Sequence, residues 1–397
     1  MARAWFKRGM PPFLAALALA AALFSFLTPA CAVRQAGAPP SVAQAPVSGI
    51  PKAEFAALVR DLSEEGGFFH SDNFTSNETS YLHVVQALQD VGATGGAYVG
   101  VGPEQNFTYI AKVRPEMAFI LDIRRQAVVQ HLLYKAIFHL AENRAAFLSL
   151  LLSRQLDPAA TASPTTETLL DGLMRAPISQ FVYAANRAKV EKAIQEDFGI
   201  TLSEQDLQQL HYVYSTFQQE GLAIAFRFGP QNGGFGFRRF PDLRELILER
   251  DLDGNLGNFL TSDADYQFVR DLHRANRIVP IVGDFAGTKA LASVADYLRA
   301  HDLKLRAFYT SNVEQFLFQN GVVAGFVANV RKLPIDDKSV FIRAIPNRGQ
   351  AHPAQVPGYR MTTLLQKVSV FLEDYDAGAY DDYRTLVTTH YIAGQPR

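Results

Sequence analysis

The chain has 397 residues, 48% of them hydrophobic and 19% charged, with 38 basic against 39 acidic side chains and a formal net charge of −1. That balance lacks the basic footprint of a nucleic-acid-binding protein, and a single cysteine, Cys31, excludes internal disulfides, so the fold must rest on its own apolar core. The length allows two domains, or one α/β domain with a large insertion.

Residues 1–32 have the three zones of an export signal. Arg3, Lys7 and Arg8 give a basic start, residues 13–27 run apolar without a charge, and Pro29-Ala30-Cys31-Ala32 supplies small residues around a cut. Three readings stay open: cleavage after Ala32, a lipoprotein signal acylated on Cys31, or a retained anchor slightly short of the ~20 residues that span a bilayer. Thr28 departs from the aliphatic residue usual in lipoprotein signals. All three readings export the rest of the chain to the periplasm or cell envelope, with membrane attachment through the leader or a lipid on Cys31. The leader takes three of the 38 basic residues and none of the acidic ones, which leaves 35 against 39 and a mature charge of −4.

Residues 33–50, rich in Ala, Pro, Gly and Ser, read as a flexible tether. An α/β domain is expected over residues 51–375, with a helical insertion at about 125–275 and a C-terminal tail at 376–397. It opens with a helix from Pro51, where Phe55, Leu58, Val59 and Leu62 share one face. Residues 96–101 (GAYVGV) and 117–123 (MAFILDI) read as buried parallel strands around a helix at 104–113, because both faces of such strands are covered. Helical spacing then dominates to about residue 220, interrupted at 157–166, with amphipathic segments at 167–197 and 203–220. Residues 222–228 read as a strand or sheet edge, followed by the glycine-rich loop QNGGFGFRRFP. The strand–helix rhythm resumes with strands at 278–282, 303–309 and 339–345 and helices at 288–300 and 312–330. The fold class is therefore α/β: a Rossmann-like, mostly parallel sheet with flanking helices and a large helical insertion between the second and later strands.

Four clusters can carry chemistry. In Tyr98-Val99-Gly100-Val101-Gly102-Pro103-Glu104-Gln105-Asn106, glycines at a strand-to-helix turn let the backbone approach a ligand, and Asp122 closes the next strand 20 residues past Gly102. An acid there can accept the hydroxyls of a ribose; the alternative is a tight turn with a capping acid. Asp284 and Phe285 end another strand, where they can frame an adenine, or where Asp284 can simply cap the following helix. Tyr309, Ser311, Asn312 and Glu314 follow the next strand and read either as substrate-facing or as a polar helix cap. Before the first strand, residues 68–78 (FFHSDNFTSNE) read as a lid carrying Asn73 and Asn77, or as an exposed connection capped by Ser76. No metal site is expected: His131 and His139 read as helix-face residues, and Asp251-Leu252-Asp253-Gly254-Asn255 begins like a calcium loop but meets Ser262 where the closing glutamate is needed. No Gly-x-Ser-x-Gly elbow or phosphate-binding lysine loop occurs.

The Gly100–Gly102 turn, Asp122 and Gly283-Asp284-Phe285 together resemble class I S-adenosylmethionine-dependent methyltransferases. More closely, SDNFTSNETSYLHV, YVGVGPEQNF, IVPIVGDFAG and FYTSNVEQFL resemble an uncharacterised bacterial family usually assigned that Rossmann-like fold, over most of residues 63–345. The resemblance implies S-adenosylmethionine as cofactor, with Gly100, Gly102 and Glu104 beside its methionine part, Asp122 on the ribose, and Asp284 with Phe285 around adenine. It puts the methyl acceptor near Tyr309–Asn312. Glu104 and Gln105 replace the usual small residues after the turn, and no Asn-Pro-Pro-Tyr motif follows the fourth strand, so the acceptor and any catalytic residue stay unidentified. The expected function is methyl transfer to an unknown acceptor; the alternative is a non-catalytic envelope protein that binds another small molecule or a protein partner.

Overall fold

A computed structural model describes residues 48–156, 165–228, 240–347 and 351–396. Nine strands occur in chain order among them: β1 (Ser71–Asp72), β2 (Ala97–Gly100), β3 (Met117–Asp122), β4 (Arg227–Phe228), β5 (Ile278–Val282), β6 (Leu305–Ser311), β7 (Val340–Pro346), β8 (Met361–Lys367) and β9 (Ile392–Ala393). Seven form one sheet in the order β5-β3-β2-β6-β7-β8-β9, and β1 pairs separately with β4. From β5 to β7 every pairing is parallel, while β8 and β9 are antiparallel to their neighbours. The fold is therefore α/β with a mostly parallel sheet flanked by helices, consistent with a Rossmann-like fold.

The sequence explains this layering. Every residue of β2, β3 and β5 is buried, as parallel strands covered on both faces must be. Pro280 lies inside β5 at no cost to the ladder, because β5 is the sheet's edge and pairs only with β3. The expected helices appear at Lys52–Asp61, Gln105–Val113, Arg125–Leu140, Arg144–Leu151, Thr166–Arg175, Gln180–Lys192, Glu204–Glu220, Asp263–Arg274 and Ala290–Ala300. Residues 123–277 supply the helical insertion between β3 and β5. The interruption expected at 157–166 and the glycine-rich loop fall largely outside the described residues.

Three expectations change. The single helix over 312–330 is two, Val313–Gln319 and Val323–Val330, because Gly321 between them takes a left-handed φ of 68°. Residues 222–228 give only the two-residue β4, which pairs with β1 rather than with the main sheet. The segment resembling a calcium loop is a turn in which Asp251 Oδ1 accepts the N–H groups of Asp253 and Asn255, and Ser262 caps the helix Asp263–Arg274. Residues 376–397 are not a free tail. They contain the helix Tyr383–Thr388, capped by Asp382, and strand β9; the Tyr383 hydroxyl reaches Ala344 O at 2.9 Å. Among the described residues no helix is long and apolar enough to cross a membrane.

Candidate functional site

The chain runs outward from β2 through β3 to β5 and, in the other direction, from β6 to β7, so the sheet's switch point lies between β2 and β6. Ligands of open parallel sheets bind beyond the carboxyl ends of the strands at such a point. Here that edge is crossed by the chain itself. Residues 63–80 form a strap from β5 to β8. Glu64 N donates to Val282 O (3.1 Å), and the Glu64 carboxylate accepts the N–H groups of Asp284 (2.6 Å), Lys289 (3.2 Å) and Ala290 (3.1 Å), which caps the helix Ala290–Ala300. Gly67 N donates to Ile123 O at 2.7 Å, Arg124 Nη1 to Ser71 O at 2.8 Å, and Gln130 Nε2 to Phe74 O at 2.9 Å.

At the switch point the strap turns its side chains inward. The Ser76 hydroxyl donates to Gln105 Oε1, and Ser76 N donates to Glu104 Oε1 at 3.2 Å. Glu78 is buried with its carboxylate between β2 and β6: Gln105 Nε2 donates to one oxygen at 3.3 Å, and the Ser311 hydroxyl donates to the other. Gln105 Nε2 also lies 3.0 Å from the Tyr309 hydroxyl. Beyond it, Ser80 and Thr363 of β8 share a hydroxyl–hydroxyl bond of 2.8 Å. No cation bonds Glu78 among the described residues, and burial raises its carboxyl above the ordinary range.

Gly100 and Gly102 are required by this packing. A Cβ on Gly100 would stand 2.0 Å from Asn106 Oδ1, which accepts the Tyr98 hydroxyl, and Gly102 takes a φ of 80°. The Asn106 amide holds the turn through the carbonyls of Val101, Gly102 and Pro103 at 2.9, 3.1 and 2.8 Å. Glu104 places one oxygen on Ser76 N and leaves Oε2 buried without a partner; burial pushes its carboxyl up to about 7. Asp122 does end β3 facing the edge, but its two oxygens accept Arg124 Nη2 at 2.8 Å and Arg124 Nε at 3.0 Å. Arg124 is buried too, and although desolvation lowers its affinity for a proton, Asp122 more than restores it.

The adenine-framing pair divides. Asp284 is half-buried and accepts Ala286 N in a local turn, whereas Phe285 is in the core, 4.9 Å from Phe308 and 5.9 Å from Phe326 between ring centroids. The polar cluster after β6 divides as well. Tyr309 and Ser311 join the Glu78 network, and Ser311 adopts a left-handed φ of 53° beside a bulge in β6. Asn312 is half-buried at the end of the strand. Glu314 is fully buried in an ion pair with Arg343 of β7 (2.9 Å), and Arg343 also stacks on Phe341. Glu314 is thus a core residue rather than a surface on which a substrate can rest.

Two hollows flank the strap. One, beside Gly102 and Pro103, is lined by Asn73, Arg124, Gln130 and His131 and measures about 10 Å³, room for about one water. Burial pushes the His131 imidazole down to about 4, so it is neutral; Nε2 faces Gly102 O at 2.8 Å and must donate, which leaves Nδ1 a bare, buried acceptor. The other hollow is open and about 770 Å³, lined by Asn77, Thr79, Arg244, Glu249, Tyr359 and Arg360 among others. Asn73 and Asn77, read together from the sequence, therefore face different spaces. The sequence reading passed over Arg124, Glu64 and Arg343. For Arg124 a signal existed, an arginine two positions after a strand-ending acid; Glu64 and Arg343 meet their partners across 220 and 29 positions and give none.

Comparison with known families is decisive for kinship. The sequence profile of a family described as Domain of unknown function (DUF7790) matches residues 73–217 and 178–396. The chain belongs to this family. The DUF7790 match takes in the inner part of the strap, the whole sheet and the segment read as a tail. No curated protein matches the chain. Among the described residues no group of three or more His, Cys, Asp or Glu side chains is placed to hold a metal ion.

Proposed function

We propose that this DUF7790 protein is an exported envelope protein that keeps a Rossmann-like fold and works by binding a small molecule or protein partner, not by transferring methyl groups. The observation that carries this reading is the strap. Glu78 and Gln105 fill the switch point, Arg124 takes the carboxylate that would hold a ribose, and the space left beside Gly102 suits one water, whereas ligand pockets measure about 300–1,000 Å³. The open hollow beside Asn77, about 770 Å³, falls in that range and is lined by polar side chains, Arg244, Glu249 and Tyr359 among them, that suit a polar small molecule. The leader agrees, since S-adenosylmethionine is made in the cytoplasm. Calorimetric titration of residues 46–397 with S-adenosylmethionine is the test: no saturable heat is expected, and a stoichiometric binding isotherm overturns the reading.

A second reading, S-adenosylmethionine-dependent methyl transfer, is favoured by the Gly100–Gly102 turn after β2 at the switch point, with Asp122 ending the neighbouring strand β3. It requires the strap to withdraw and Arg124 to release Asp122. Transfer of label from S-adenosylmethionine to an envelope extract, lost in Asp122→Asn, would establish it.

A further inference from the structure

The connection between the helices Thr166–Arg175 and Gln180–Lys192 exposes large apolar side chains that the core has no use for. Phe181 is 85% exposed, Met174 63% and Ile178 53%, three of the six large hydrophobics so exposed among the described residues, all within eight positions. The helix that begins with Gln180 explains why this side is not polar. Its inner face buries Tyr183, Asn186 and Val190, and after the exposed Gln180 its outer face continues from Phe181 through Ala184, Ala185 and Ala188 to Lys189 and Lys192, with no charge on it before Lys189. A solvated helix normally carries charge there.

The charge is one-sided as well. From Gly172 to Val190 the chain holds Arg175, Arg187 and Lys189 and not one acidic residue. Arg175 and Lys189 are exposed and form no ion pair among the described residues, whereas Arg187 is paired with Glu191. The flanking Asp171 and Glu191 are both engaged in ion pairs, with Arg244 and with Arg187 and His211, so exposed apolar residues with the unpaired Arg175 and Lys189 beside them match the surface of an anionic lipid bilayer, which takes large side chains into its interface and holds lysine and arginine at its headgroups.

We propose that the corner bearing Met174, Ile178 and Phe181 is a membrane-contact surface that inserts these side chains into an anionic lipid interface, with Arg175 and Lys189 against the headgroups. It acts apart from the leader and independently of what the sheet edge binds. The test is co-sedimentation of residues 46–397, which form one compact unit, with vesicles of equimolar phosphatidylglycerol and phosphatidylcholine and with vesicles of phosphatidylcholine alone. Binding to the anionic vesicles is expected to exceed binding to the neutral ones, and Ile178→Asp with Phe181→Asp should weaken it by about tenfold or more. Arg175→Glu with Lys189→Glu should abolish the preference for anionic lipid. These positions are exposed, so an unchanged melting temperature keeps the variants interpretable. Failure of the unaltered protein to sediment, or equal sedimentation of Ile178→Asp/Phe181→Asp, overturns the proposal. So does light scattering that finds a dimer which these substitutions dissociate, because the corner would then seat a second copy of the chain.

Discussion

Glu314 and Arg343 meet with no solvent exposure on either side chain, and the guanidinium is further held by Gln366 Oε1 at 2.5 Å. Removing one partner leaves a desolvated charge, which costs about 3–5 kcal/mol, while replacing both with apolar groups of similar size is close to neutral. Arg343→Met alone should therefore lower stability by about 3–5 kcal/mol in a denaturant titration, and the double variant Glu314→Leu/Arg343→Met should recover most of that loss. Recovery of nothing would mean that the pair contributes more than the desolvation it offsets. At this scale the sequence was legible in kind and not in role. Glu104, Tyr309 and Ser311 do gather at the switch point and Asp122 ends the neighbouring strand, but another residue decides what each can do: Arg124, two positions on, for Asp122, and across long separations Glu78 for Ser311 and Arg343 for Glu314. Side chains that meet across long sequence separations leave no periodicity to read.

The strap is an element without regular structure, held mostly by side chains acting on backbone groups. Its only ladder is the two-residue pairing of β1 with β4. Segments held this way open at lower free energy than the core strands they cover. Glu64→Ala removes the acceptor of three N–H groups and frees the strap's first anchor. Amide exchange at Gly67 should then accelerate by about tenfold or more, while Val99 and Phe119 in the sheet keep their protection; equal acceleration throughout would show that strap and sheet unfold as one. Elements with clear periodicity were readable. The strands at β2, β3 and β5 and the helices around them follow from apolar runs and 3.6-residue spacing. Strand β8 was not readable, because Thr362, Thr363 and Gln366 interrupt its apolar pattern, each buried against a polar partner: Asn347, Ser80, and Arg343 with Tyr380. With β8 unseen, β9 had nothing to pair with, and the segment looked like a tail.

Over the whole molecule the buried titratable groups oppose one another as pH falls. His83 and His131 are pushed down to about 4 and His273 well below the ordinary imidazole range, all chiefly by burial. Each is neutral when folded and protonated when unfolded between about pH 4 and 6.5, so each withdraws stability as pH falls through that window. Glu104, pushed up to about 7, and Glu78, raised in the same direction, do the reverse: folded they hold a proton that the unfolded chain releases above about 4.5, so they add stability as pH falls from about 7. The histidines outnumber the glutamates, so stability is expected to fall as pH drops from about 6.5 to 4.5, less steeply than the histidines alone would give. Glu104→Gln keeps the acceptor for Ser76 N, removes one opposing term, and should be more stable than the parent above pH 7 by about 2 kcal/mol, with the difference vanishing below about pH 4.5. Urea midpoints measured across that range check both the shallow decline of the parent and the steeper decline of the variant.

The strap also sets a schedule. Its residues leave the ribosome before any strand of the main sheet, yet Ser80 cannot meet Thr363 until 283 further positions have been made. At about 5–20 residues per second that is a wait of roughly 15–60 s. Phe74 can meet Tyr134 and Phe217 well within that wait, but Glu78 lacks Ser311 for most of it, and the sheet keeps an uncovered edge until β8 is made. A strap built in this order closes only once β8, its last partner in the chain, has been made.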